Sequence, residues 1–341
     1  MRSKVLVTGG AGYIGSHACV ELLRNGFEPV VLDNLSRGFR HLVRTPDFYD
    51  FSLDHKKRVL EICREHRIDQ VLHFAAYAYV DESVREPLLY FENNDVQALV
   101  FLEALREAGV RNFVFSSTCA TYGIPKQIPI SETEEQNPIN PYGRSKLLME
   151  AFLREIHKSF KINISCLRYF NVAGADPLGE VGECHEPETH LIPRSIQKAL
   201  RGEALQIFGK DYPTKDGTCI RDYIHVTDLI RGHLLTLDYQ LKNPGFHVFN
   251  LGTGIGWTNL EVAREILKQT QSPSQIEFFP RRPGDPPQLI ADPSRAQNIL
   301  GFKTLHSSLQ TMVATALQWE RRLRSLDSTD SKEKFRNEGT K

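Results

Sequence analysis

No two of the six cysteines (Cys19, Cys63, Cys119, Cys166, Cys184 and Cys219) stand in a C-x-x-C pair, and none has a metal-ligand spacing. Their scatter argues against a zinc site or a disulfide framework and for a reducing compartment. His73, His185, His190 and His225 show no ligand spacing either, so no metal is expected and they read as structural or surface groups. Neither sign of charge is in excess: Lys plus Arg and Asp plus Glu number 42 each. No global field therefore invites nucleic acid or an anionic membrane. No run of about eighteen uncharged apolar residues occurs, so no membrane span is expected. The start of the chain carries no basic-then-apolar leader, and the expected location is the cytoplasm.

What is present begins at Lys4-Val5-Leu6-Val7-Thr8, an aliphatic, β-branched run that reads as a buried strand. Gly9-Gly10-Ala11-Gly12-Tyr13-Ile14-Gly15 and a helical pattern to Asn25 follow it. Glycines at 9, 12 and 15 suit a tight turn, close approach of backbone to a pyrophosphate, and close packing of helix on strand. The helix N-terminus then offers N–H groups and partial positive charge to phosphates. A second strand, Glu28 to Leu32, ends in Asp33, at about the twenty-residue distance where a carboxylate accepts a ribose 2′-hydroxyl and repels a 2′-phosphate. NAD is expected over NADP.

Tyr142-Gly143-Arg144-Ser145-Lys146 sets a phenol and an ammonium one helical turn apart on one face. A nearby positive charge favours phenolate, so this pair behind a nucleotide loop points to hydride chemistry with Tyr142 as base. Strands and helices alternate through Val71–Phe74, Pro87–Ala108, Asn112–Ser116, Asn140 to Ser159 and Asn163–Tyr169, the pattern of an α/β, Rossmann-type doubly wound parallel sheet. Ligands of such sheets sit beyond the carboxyl ends of the strands, where Ser116, Thr118 and Asn171 fall.

The 341 residues suggest about two domains. We expect residues 1–171, completed by about 222–251, to form the cofactor domain. Residues 172–221 and 252–324 would form a smaller mixed α/β substrate lobe with interleaved segments. A last helix at about Ser307 to Arg324 carries a core stripe of Leu309, Met312, Val313 and Ala316, and residues 325–341 read as a charged, disordered tail.

Several stretches together carry a resemblance over about residues 3 to 322: TGGAGYIGSH from Thr8, LDNLSRG from Leu32, HFAA from His73, NPINPYGRSK from Asn137, LRYFNVAGADPLGEVGE from Leu167, DGTCIRDYIHV from Asp216 and RRPGD from Arg281. The chain resembles the extended short-chain dehydrogenase/reductases and, within them, the UDP-glucose 4-epimerases. The resemblance implies redox-neutral interconversion of UDP-galactose and UDP-glucose through a 4-keto sugar, with tightly bound NAD. Tyr142, Lys146 and Thr118 would be catalytic. NAD would be held by Gly9, Gly12, Tyr13, Ile14, Gly15, Asp33, Asn34, Ser36, Ser52, Leu53, Phe74, Ala75, Asn93, Ser116, Tyr142, Lys146 and Tyr169. Asn94 offers the same chemistry as Asn93.

The UDP-sugar would meet Thr118, Tyr142, Asn171, Leu191, Phe208, Arg221, Arg282, Asp285 and Leu289. In this scheme Arg221 and Arg282 clamp the diphosphate, Asp285 holds the uridine ribose, and Phe208 lies against uracil or in the core. Related enzymes pair as homodimers through the helices near Pro87–Ala108 and Asn140–Ser159.

Three positions depart from the family pattern. Ser52 stands where an Asp bonds adenine, with Asp50 or Asp54 as substitutes; Ala78 replaces a lysine near the pyrophosphate; and Leu289 replaces the tyrosine that narrows the sugar pocket. Leu289 leaves N-acetylhexosamine and pentose substrates open. A related dehydratase would carry Asp-Glu where Cys119 and Ala120 stand, which disfavours elimination.

Overall fold

Val5 and Val7 point to one face of a sheet and Leu6 to the other, and all three are fully buried. This alternation on a doubly covered strand is what an aliphatic run with little polar punctuation produces. The computed structural model describes residues 3–282 and 285–327. Among these, seven strands form the main sheet: β1 (Lys4–Thr8), β2 (Glu28–Leu32), β3 (Phe48–Tyr49), β4 (Gln70–His73), β5 (Asn112–Thr118), β6 (Asn163–Tyr169) and, later in the chain, β10 (Phe246–Leu251). Their order is β10-β6-β5-β4-β1-β2-β3, and each pairing is parallel. The order reverses between β1 and β4, the switch point at which such sheets open a crevice. The doubly wound expectation is met.

Helices cover both faces. On one, α2 (Lys56–Glu65), α5 (Gln97–Ala108) and α6 (Pro141–Phe160) bury Ile62, Phe101, Leu105, Met149 and Leu153 against Leu6, Val71 and Phe113. On the other, α1 (Tyr13–Arg24), α8 (Val226–Lys242) and α10 (Ser294–Leu300) bury Ala18, Leu22, Leu229 and Ala296 against Val5, Val7 and Val114. Truncating one such leucine to alanine costs about 2–5 kcal/mol. Two short helices, α3 (Val80–Arg85) and α4 (Pro87–Phe91), precede a π-helical turn at Glu92–Val96 that runs into α5. The single helix expected over Pro87–Ala108 is thus interrupted. The cause is Asn94, whose side chain accepts from the Tyr77 amide (2.8 Å) and donates to the Tyr77 carbonyl (3.0 Å) and Ser145 Oγ (3.2 Å).

A second sheet of short strands comprises β7 (Asn171–Ala173), β9 (Ile220–His225), β11 (Gly256–Thr258) and β13 (Gln288–Leu289), and β8 (Leu205–Phe208) pairs with β12 (Ile276–Phe279). Around them α7 (Leu191–Arg201), α9 (Asn259–Thr270) and α11 (Leu309–Asp327) share a core of Ile192, Ile196, Val262, Ile266, Met312 and Val313. Thr258 and Glu261 form a reciprocal capping box that starts α9. The stripe expected on the last helix is core: Leu309, Met312 and Val313 are buried. Helix α11 continues to Asp327, three residues into the stretch expected to be disordered, and residues 328–341 of that expected tail lie outside the described residues.

Candidate active site

The loop after β1 turns at Gly9, whose φ of +70° suits glycine, and a Cβ there would lie 2.7 Å from the Ala75 amide nitrogen. Helix α1 starts at Gly12 with no side-chain cap and no acidic residue in its first turn. Its first amides therefore lack the usual internal acceptor. A Cβ on Gly12 would approach only Gly9 O, at 3.4 Å among the described residues, so any side chain there would project into the cavity that Gly12 lines. Such a cradle, emptied of side chains and ringed by amides, fits a pyrophosphate.

Asp33 follows β2 and accepts from the Ala11 amide at 2.9 Å and the Leu35 amide at 2.8 Å. Burial raises its carboxyl above the ordinary value, against those two hydrogen bonds. Asn34 donates to Ser52 Oγ (3.0 Å) and accepts from the Ser36 amide (3.1 Å), which ties the segment after β2 to the wall formed by Phe51, Ser52 and Leu53.

A cavity of about 610 Å³ is lined by this loop and by residues from every strand end near the switch point. It takes in Gly9, Gly12, Tyr13, Ile14, Gly15, Asp33, Asn34, Ser36, Ser52, Leu53, Phe74, Ala75, Asn93, Thr118, Tyr142, Lys146, Tyr169, Asn171, Leu191, Arg221, Arg282, Asp285 and Leu289. Two expected residues lie elsewhere. Ser116 is buried within β5, and its carbonyl accepts from Lys146 Nζ at 2.8 Å. Phe208 lines a neighbouring cavity of about 70 Å³, together with Arg282 and Asp285, and the Arg282 guanidinium stands 4.5 Å over its ring. Asn93 lines the main cavity, while Asn94 is occupied with Tyr77 and Ser145. Asp50 and Asp54, the alternatives to Ser52, are not among the described lining residues.

Helix α6 brings in the tyrosine and lysine. Asn140 caps it by accepting from the Gly143 amide at 2.8 Å, and Pro141 occupies the first turn. Gly143 allows close docking: a Cβ there would sit 2.5 Å from Ala120 O, in the turn that follows Thr118. Tyr142 is half-buried, and loss of solvent around its phenol pushes it above the ordinary value; Tyr169 adds to this, and a hydrogen bond with Thr118 opposes it. Burial lowers the Lys146 ammonium to about 8, while Asp95 and Glu150 pull it back up.

The lysine is engaged by the Ser116 carbonyl and faces two carboxylates.

At the opposite side, Arg221 is buried, paired with Asp285 and bonded through Nη1 to its own segment's Ile220 carbonyl at 2.8 Å. His73 is structural, bonded to Thr8 Oγ1 at 2.8 Å and stacked on Phe101 and Phe115; burial lowers it to about 3. His225 Nδ1 caps α8.

Three features escaped sequence reasoning. Arg37 lines the cavity with its guanidinium 5.1 and 5.4 Å from the ring centres of Tyr77 and Tyr79, the residues flanking Ala78, and pairs with Glu82 at 2.6 Å. Arg168 and Glu150 pair inside the core at 2.6 Å. His185 and His190, read as unrelated, converge with Glu183 and Glu188 so that one ligand atom from each lies within 4.8 Å of the others. The alternation Glu-x-His-x-x-Glu-x-His over 183–190 is the signal that could have found this cluster.

A doubly wound sheet whose glycine-rich turn, the carboxylate after its second strand and a Tyr-Lys pair all line one cavity places the chain among nucleotide-cofactor enzymes of the Rossmann class. The NAD dependent epimerase/dehydratase family matches residues 5–252, and the chain belongs to that family. It is 47% identical over 320 residues to a UDP-glucose 4-epimerase of Lactobacillus helveticus, covering 93% of this chain and 97% of that one. The crystal structure of UDP-glucose 4-epimerase from Brucella ovis in complex with NAD superposes with a TM-score of 0.90 at 46% identity, over 93% and 98% of the two chains. The UDP-Glc/GlcNAc 4-epimerase from Campylobacter jejuni gives a TM-score of 0.82 at 39% identity, over 94% and 99%.

Proposed function

We infer that the chain is an NAD-dependent UDP-glucose 4-epimerase that interconverts UDP-galactose and UDP-glucose. The observation that carries this reading is that Tyr142, Lys146 and Thr118 line the same cavity as the glycine loop and Arg221. When bound, NAD supplies the hydride acceptor and donor that inversion needs at a carbon with no acidic hydrogen. Gly9, Gly12 and the first amides of α1 would hold its pyrophosphate, Asp33 a ribose, and Ser52 and Leu53 the adenine side. Arg37 would supply there the positive charge that Ala78 cannot.

Tyr142 Oη takes the proton of the sugar 4-hydroxyl and returns it on the second half of the cycle. Thr118 Oγ1 keeps that phenol oriented, and Lys146 anchors α6 to β5 through Ser116. On the substrate side Arg221 and Arg282 hold the diphosphate, Asp285 the uridine ribose, and Asn171 and Leu191 the sugar and its diphosphate. Residues 1–171 with 222–251 would then serve the cofactor, and 172–221 with 252–324 the UDP-sugar.

Purified protein is incubated with UDP-galactose and no added NAD, and the sugar is followed by proton NMR beside Tyr142→Phe. Conversion to UDP-glucose that the variant loses by roughly 10³-fold or more supports the reading, in line with loss of a general base. No conversion, even with NAD supplied, overturns it.

We further propose a homodimer. Leu88 is 81% exposed, and Val84, Val96, Leu148 and Phe152 on α3, the π-helical turn and α6 are also exposed, a patch that suits self-association. Sedimentation showing only monomer at micromolar concentration overturns this. Six free cysteines suit a cytoplasmic location. Among the described residues, no helix is long and apolar enough to cross a membrane.

A further inference from the structure

We propose that Glu183, His185, Glu188 and His190 form a binding site for one divalent cation of the zinc type, set in the wall of the nucleotide cavity. The four residues lie on the loop that leads into α7, and one donor atom from each falls within 4.8 Å of all the others. The two glutamates keep only 7% of their side-chain surface, and His185 keeps 16%. Two carboxylates held this close away from water repel each other and need a compensating charge. Either two imidazolium rings or one divalent cation between neutral rings would provide it.

Geometry favours the cation. His185 Nδ1 is buried 3.2 Å from Glu183 Oε1 and 3.5 Å from Glu188 Oε2, yet it makes no aligned hydrogen bond. In the neutral tautomer with its proton on Nε2, that nitrogen would offer its lone pair to a cation shared with the two carboxylates. Donors about 2.1 Å from a tetrahedral ion stand about 3.4 Å apart. The His185 separations match that edge, and His190 Nδ1 lies 3.7 Å from the other Glu188 oxygen, Oε1. His190 Nδ1 to Glu183 Oε1 is a 2.5 Å contact that must lengthen as the ion enters.

Two imidazoles and two carboxylates are a donor set for zinc or its borderline neighbours, and harder ions such as magnesium prefer oxygen alone. Outer contacts already fix the donors. Glu188 Oε1 accepts from the His190 amide at 2.8 Å, and Trp319 Nε1 on α11 donates to the Glu183 carbonyl at 2.9 Å. His185 and His190 line the cavity, and His185 meets Tyr13 and Tyr79 edge-on, with ring centres 6.3 and 5.7 Å away. A cation there would brace the loop against the wall that also carries the start of α1. The proposal stands independently of the epimerase reading.

The purified full chain is treated with a chelator, exchanged into zinc, freed of unbound metal and analysed by inductively coupled plasma mass spectrometry. We expect about one zinc per chain, with His190→Ala and the near-isosteric Glu188→Gln each weakening it at least tenfold, since loss of even an outer partner of a metal ligand costs about that much. Cys184→Ser, at the adjacent thiol, should keep it. Circular dichroism of Glu188→Gln establishes that the loss is not unfolding. No zinc retained, equal retention by both ligand variants, or loss in Cys184→Ser alone overturns the proposal.

Discussion

Arg168 on β6 grips Glu150 on α6 inside the core: Nη2 to Oε2 is 2.6 Å, Nε reaches both oxygens at 3.0 and 3.2 Å, and each side chain is 3% exposed. Ser117 Oγ on β5 adds a third donor at 2.5 Å. Tyr142, Lys146 and Glu150 recur every fourth residue along one face of α6, so this buried pair fixes the far end of the row whose near end lines the cavity. Removing one partner leaves the other charge buried and unpaired. Glu150→Ala should therefore destabilise by about 3–5 kcal/mol, measured by urea unfolding. A loss well under 1 kcal/mol would mean that water relieves Arg168.

Asp95 lies in the π-helical turn with neither carboxylate oxygen hydrogen-bonded, and burial raises it to about 7 while Lys146 opposes the shift. A folded value above the ordinary carboxylate value, about 3.9, makes its contribution to stability fully present below about pH 4 and lost as pH rises through about 7. Lys146, lowered to about 8, runs the other way, adding stability as pH climbs from there toward about 10.4. Asp95→Asn should remove the first dependence and keep the second, gaining on the order of 1 kcal/mol at about pH 8 after allowance for solvent screening. Unfolding curves at acid and alkaline pH test this; a variant whose stability falls with pH as steeply as the parent's rules Asp95 out.

The parts of the site that were legible in the sequence are those whose chemistry is local. Gly9, Gly12 and Gly15 act within one turn of chain, and Tyr142 and Lys146 within one turn of helix, so spacing alone relates them. The Glu150–Arg168 pair joins elements that no periodicity connects. Arg37 reaches the flanks of Ala78 only because β2 and β4 both end at the crevice. The break between α4 and α5 comes from tertiary bonds made by Asn94, which outweigh helical propensity. The cluster at 183–190 was visible as letters, but its donors converge through an irregular loop and not through a helical ligand spacing.

Asp33 braces the glycine loop through Ala11, closes its own turn through Leu35, and lines the cavity. Asp33→Ala should weaken NAD binding by roughly 10–100-fold, the equivalent of one lost hydrogen bond to a charged acceptor. Titration of cofactor-free protein, followed by protein fluorescence, checks it. Unchanged affinity would place the ribose elsewhere.

Leu289 on β13 lines the cavity and clusters with Phe170 and Ala291, and it is itself the strand partner of Arg221 on β9. A leucine leaves more room than a tyrosine, so UDP-N-acetylglucosamine should be turned over as well as UDP-glucose. Leu289→Tyr fills that space. We expect kcat/KM for the N-acetylated sugar to fall by about 10–200-fold, the range a pocket misfit of this size produces, while the value for UDP-galactose stays within about threefold. Coupled assays on both sugars decide it. If the parent ignores the N-acetylated sugar, the constraint lies with another wall residue; if the variant loses both sugars equally, the tyrosine has disturbed Arg221 and not the pocket's width.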